Sequence, residues 1–134
     1  MRLSNRRPAA RRALVAIVAV PFVLGACNDS TGPVCTDVVL HGILGTATNA
    51  ETNANITAGA FLVATAGTYK DSVGVNANGQ LAAAAEQPGT FTVTIGHPGY
   101  FSFVRNNVVV GHDGCHVIPV NLDVELTPSP EGKL

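Results

Sequence analysis

Apolar and polar positions divide the chain into one continuous apolar run near its start and a series of short alternating runs after it. The continuous run covers residues 13–24 and follows five arginines, Arg2, Arg6, Arg7, Arg11 and Arg12. It falls well short of the roughly 20 residues that cross a bilayer as a helix, and Pro21 interrupts it. Beyond it, apolar residues recur with period two rather than at helical spacing, which predicts strands. Seven are expected, over residues 38–44, 59–65, 68–75, 80–86, 90–95, 100–110 and 116–126.

The cleanest alternation is in the fifth, where Phe91, Val93 and Ile95 share one face and threonines the other. In the seventh, Ile118, Val120, Leu122, Val124 and Leu126 share a face. Pro119 has no N–H to give a ladder, so that strand is expected at an edge or with a bulge. Residues 46–57 are rich in Thr, Asn and Ala, whose side chains or small size offer few anchors, and read as a long loop. Asn78-Gly79 reads as a two-residue type I′ hairpin between the third and fourth strands. Residues 80–86 carry four alanines and favour helix by propensity. Turn signals on both sides leave too little length for one, so a strand is expected there too.

The arginines, the apolar run and the small residues after it have the layout of a secretion signal. Leu24-Gly25-Ala26-Cys27 resembles a lipobox, which implies cleavage after Ala26 and diacylglycerol on the Cys27 thiol. Residues 1–26 are then a lipoprotein signal peptide, 27–33 a lipidated tether, 34–126 a β-sandwich domain and 127–134 a flexible tail. The alternative is an uncleaved anchor with an ordinary thiol at Cys27. The resemblance implies attachment to the bacterial cell envelope, at the outer membrane if the source is Gram-negative. With Cys27 assigned to lipid, Cys35 and Cys115 are left to pair, and an exported setting favours a disulfide. The competing reading is a metal site from His112, Asp113, Cys115 and His116. The two histidines share a face only on a helix, whereas Asp113-Gly114 reads as a turn.

Removing the signal leaves Lys70, Arg105 and Lys133 against nine acidic residues, three minus nine, a net charge of −6. That balance offers no basic footprint for nucleic acid, so no nucleic-acid partner is expected. It also disfavours electrostatic attachment to anionic lipid, so membrane attachment would rest on the acyl chains.

Short strands separated by turn signals over about 100 residues describe an all-β sandwich. Pro88-Gly89-Thr90-Phe91-Thr92-Val93, His97-Pro98-Gly99-Tyr100 and the final alternating strand resemble the carboxypeptidase regulatory-like domain, a transthyretin-like sandwich. The resemblance implies a seven-stranded sandwich with turns and a core face but no catalytic site. Where such domains usually turn at Asp-Gly or Thr-Gly after the first strand, this chain has Asn49-Ala50-Glu51-Thr52-Asn53.

Candidate chemistry is sparse. No histidine is followed three residues later by glutamate, and no serine sits in a Gly-x-Ser-x-Gly elbow. His97 reads as a turn histidine bonded to a backbone carbonyl. Tyr69, Tyr100, Phe101 and Phe103 read as core, or alternatively as a sugar-stacking platform. Asp71, Asn76 and Asn78 lack the clustered carboxylates that calcium requires. No catalytic residue, metal or cofactor is therefore assigned and no enzyme is expected, although a Ser-His-Asp group assembled only by folding is not visible to motif reading. The expectation is a membrane-anchored envelope lipoprotein whose sandwich serves as a structural or protein-interaction module. The alternative is a glycan- or peptide-binding module, distinguished by whether Tyr69, Tyr100 and Arg105 share an exposed face.

Overall fold

A computed structural model of the chain describes residue 32 and residues 34–133. Cys27, with the signal and lipid anchor expected around it, lies outside the described residues. The described chain is all-β: β1 (His41–Asn49), β2 (Phe61–Ala66), β3 (Tyr69–Val73), β4 (Leu81–Ala85), β5 (Gly89–Gly96), β6 (Phe103–His112), β7 (Val117–Ile118) and β8 (Val120–Leu126). They form two sheets facing each other, a three-stranded one in the order β4-β1-β8 and a five-stranded one in the order β3-β2-β5-β6-β7.

Eight strands stand where seven are expected, and Pro119 is the reason. It splits the final run so that β7 pairs with β6 in one sheet while β8 pairs with β1 in the other. The split also reverses the alternation. Val117 is buried and Ile118 is 53% exposed, whereas Leu122, Val124 and Leu126 return to the core. A single face running from Ile118 to Leu126 is thereby corrected.

The first strand runs further than its composition suggests. Residues 46–49, read as loop, belong to β1, where Gly45 and Ala47 face the core and Thr46 and Thr48 face outward beside Asp123 and Glu125 of β8. The packing at Gly45 is close, because a Cβ there would sit 3.1 Å from the Ile95 Cδ1. The shorter loop that follows is closed by side chains. Asn49 Oδ1 accepts from the N–H groups of Glu51 and Thr52, and the buried Thr57 hydroxyl accepts from Ala47 N–H at 2.9 Å.

Asn78-Gly79 does not form the two-residue hairpin. The N–H of Gly79 donates to Asn76 O, that of Asn76 donates to Gln80 O, and of the tip residues only Gly79 has positive φ, at 75°. This is a three-residue loop ending in a left-handed residue. Asn76 Oδ1 stabilises it by accepting from Asn78 and Gln80 N–H. Past one bridge between Val75 and Leu81 the chain divides, β3 joining the large sheet and β4 the small one. The strand of alanines forms as expected, with Ala82, Ala83 and Ala84 buried.

The core lies between the sheets. Ile43, Leu81, Leu122, Val124 and Leu126 of one sheet meet Leu62, Phe91, Val93, Ile95, Val108 and Val110 of the other. Tyr69 adds an edge-on contact to Phe91 at 5.7 Å between ring centroids. A bulge in β6 places Asn107 at φ 57° and shifts the register between Phe91 and Val93. Phe103 and Val108 thus both reach inward, although their separation is odd. Phe101, read as core, is instead 58% exposed. Beyond β8, residues 127–129, read as a flexible tail, follow the segment before β6: Phe101 N–H donates to Thr127 O and Ser129 N–H to Gly99 O. Residues Pro130–Lys133 form a short 3-10 turn.

Candidate functional site

The segment before β1 and the turn before β7 meet at one end of the sandwich. Cys35 and Cys115 are joined there, with Cα atoms 5.2 Å apart. The pairing follows from topology. β1 and β8 run parallel and in register from Ile43 opposite Val120, so the segments leading into the first strand and the last pair of strands start together. With Cys115 bonded to Cys35, the metal reading loses its sulfur ligand. The remaining members are each engaged locally. Asp113 Oδ1 accepts from Cys115 and His116 N–H, and His112 Nδ1 accepts from Gly114 N–H at 3.0 Å. Those two backbone donors, His116 first, hold the Asp113 carboxyl below its ordinary range.

Beside the disulfide lies an open groove of about 370 Å³, lined by residues of the 35–39 segment together with Glu86, His112 and His116. Glu86, just past the end of β4, anchors it. Its φ is 47°, a left-handed conformation that costs a non-glycine residue energy and persists only when surroundings impose it. Here they do. Glu86 N–H donates to Leu40 O at 2.9 Å and Leu40 N–H donates back to Glu86 Oε1 at 2.7 Å. Oε2 accepts from Val117 N–H at 3.3 Å, and Oε1 also meets His116 Nδ1 at 2.9 Å. The Leu40 N–H, followed by the His116 contact, lowers the Glu86 pKa and keeps the carboxylate ionised. The other nitrogen of the His116 ring, Nε2, lies 3.1 Å from Thr36 Oγ1.

A continuous row of groups thus runs hydroxyl, imidazole, carboxylate, backbone amide, from the exposed Thr36 inward. Sequence reading assigns no role to Thr36 or Glu86. They stand 50 positions apart in sequence with no motif around either, and they are linked only through His116, once β4 has paired with β1 and the turn before β7 lies beside them. A polar residue closing the alanine strand just before Pro88-Gly89 is the one local signal, and it marks a turn as readily as a site.

The other candidates fall elsewhere. His97 has Nδ1 2.7 Å from Pro98 O and Nε2 3.2 Å from Ala58 O, and packs edge-on to Tyr100. It fastens a turn, as expected. Asn49 Nδ2 donates to the Tyr100 hydroxyl at 3.0 Å. Tyr69 and Tyr100 are part-buried against the core while Arg105 is exposed, so the three do not share one exposed face. Burial, followed by the neighbouring Asp71 carboxylate, raises the Tyr69 pKa. Asp71 Oδ2 accepts from Ala84 N–H, and Asn76 is used within its loop. The chain matches no protein-family model, and no curated protein matches it.

Proposed function

We propose that the chain is an exported lipoprotein, held to the bacterial envelope through diacylglycerol on Cys27, whose sandwich serves as a structural or protein-interaction module. The observation that carries this reading is the Cys35–Cys115 disulfide. It suits an oxidising compartment, and it fixes the chain at the point where the tether would enter the domain. A load on the lipid would reach both sheets there, because the segment after Cys35 leads into β1 and that after Cys115 into β7 and β8. In fold we read the sandwich as transthyretin-like, of the carboxypeptidase regulatory-like kind, on the strength of the turn residues at Pro88-Gly89 and His97-Pro98-Gly99.

The partial burial of Tyr69 and Tyr100 supports scaffolding over sugar stacking. The surface left for a partner protein is the outer face of the five-stranded sheet, where Val63, Thr94 and Val104 lie side by side and Thr90 neighbours Val109. Metabolic palmitate labelling with membrane fractionation tests the reading. The intact chain is expected to carry label and sediment with membranes, and Cys27→Ser to lose both. Label or sedimentation that persists in Cys27→Ser would overturn it.

A further inference from the structure

We propose that Thr36, His116 and Glu86 form a nucleophile, base and carboxylate relay that cleaves small acyl esters in the groove beside the disulfide. The order of donors and acceptors follows from the chemistry of the groups. A carboxylate only accepts, so the 2.9 Å contact with Glu86 Oε1 places a proton on His116 Nδ1. In the neutral ring Nε2 then carries the lone pair, and the Thr36 hydroxyl 3.1 Å away donates to it. This is the alignment in which a hydroxyl oxygen becomes nucleophilic as its proton leaves. Leu40 and Val117 N–H hold the carboxylate and so fix the ring. Fastening the chain near β1 accounts for the Leu40–Glu86 pair alone; it does not require an exposed hydroxyl on the far side of the imidazole.

Thr36 is exposed and lines the groove together with Val38 and Val39, which are 56% and 62% exposed. The groove volume of about 370 Å³ is at the small end for ligand sites. A short acyl group resting on the two valines puts its carbonyl within reach of Thr36. Thr36 Oγ then bonds to the carbonyl carbon while its proton passes to His116 Nε2. Collapse breaks the bond to the alcohol oxygen, which takes that proton and leaves. Water attacks the acyl-threonine, giving its proton to Nε2, and Thr36 departs with a proton returned from Nε2. The sum is ester plus water to acid plus alcohol. Thr36 and His116 touch the reacting atoms, whereas Glu86 is a positioning residue.

The relay rests on the groove and not on the lipid anchor, and p-nitrophenyl acetate with detergent-solubilised full-length protein tests it. Acetyl-Thr36 is expected in a quenched digest, with hydrolysis about 100-fold above that of Thr36→Ala. Thr36→Ser should retain turnover and His116→Gln should lose it, each with the disulfide intact and an unchanged circular dichroism spectrum. Ring ¹⁵N resonances should show the His116 proton on Nδ1, and Glu86→Gln should shift it toward Nε2 while lowering acetylation. Hydrolysis by Thr36→Ala at the rate of the intact protein, absence of acetyl on Thr36, or a proton resident on Nε2 in the intact protein would overturn the proposal.

Discussion

Glu86 and Leu40 hold each other by two reciprocal hydrogen bonds, Glu86 N–H to Leu40 O and Leu40 N–H to Glu86 Oε1. Through them the last turn of the alanine strand is tied to the residue before β1. Because Glu86 and Asp113 both have lowered pKa values, their ionised forms favour the fold. The stability they contribute is present above the ordinary carboxylate pKa and lost as pH falls through the depressed values. Thermal melts from pH 6 down to about pH 3, spanning the ordinary carboxylate range, should therefore fall less steeply for the Glu86→Gln, Asp113→Asn double variant than for the intact protein. Parallel curves would show that neither carboxylate is linked to folding.

Removing the bridge should act through the unfolded chain. Cys35 and Cys115 are 80 residues apart in sequence, for which loop-closure entropy amounts to about 4.5 kcal/mol before any strain is deducted. Urea denaturation of the Cys35→Ser, Cys115→Ser double variant should show a midpoint lower by a corresponding amount, with far-UV circular dichroism of the folded state unchanged. An unaltered midpoint would deny the bridge its structural role.

The sheets approach each other closely at Gly42. A Cβ there would lie 2.5 Å from Val110 Cγ1 and 3.2 Å from the backbone oxygen of Ala84. The valine can shift but the backbone cannot, so Gly42→Ala should destabilise by about 1–3 kcal/mol, as overpacking does. At Gly96 the added Cβ would first meet side-chain atoms, the ring of Phe61, which is 40% exposed, and Ser102 Oγ. Gly96→Ala should cost less. Paired urea melts that rank the two variants the other way would contradict this packing.

Phe91 is 1% exposed and holds the ring of Tyr69 against the core. Phe91→Ala should cost about 3–5 kcal/mol by denaturant melt, a typical loss for a large buried aromatic.

The sequence made the all-β architecture legible where alternation was unbroken. Thr90 to Ile95 showed its two faces directly, and so did Leu122 to Leu126. Elsewhere a local rule was overridden by tertiary position. Gly45 and Ala47 carry too little apolar surface to signal a strand, yet both are buried, and a Cβ at Gly45 would already press on the Ile95 side chain. Ile118 looks like a core residue but falls outside it because Pro119 changes the phase of alternation nearby, and Phe101 falls outside it in the segment before β6, where its N–H donates to Thr127 O. Cys35 and Cys115 were readable as a pair because so few cysteines remained to choose from. Thr36, Glu86 and His116 were not readable as a group, since they lie in three separate segments, before β1, after β4 and before β7, that meet only in the folded sandwich.

The proposed lipoprotein is an exported chain whose mature N-terminus would be a lipidated Cys27 and which is fastened at Cys35 by the disulfide to Cys115. Mass spectrometry of an unreduced tryptic digest of the membrane-extracted protein tests both at once, because the basic residues after Cys27 are only Lys70, Arg105 and Lys133. The expected product is one disulfide-linked species joining residues 27–70 to residues 106–133, with the mass of diacylglycerol on Cys27. An N-terminus at any other residue, an unmodified Cys27, or fragments that separate without reductant would contradict it.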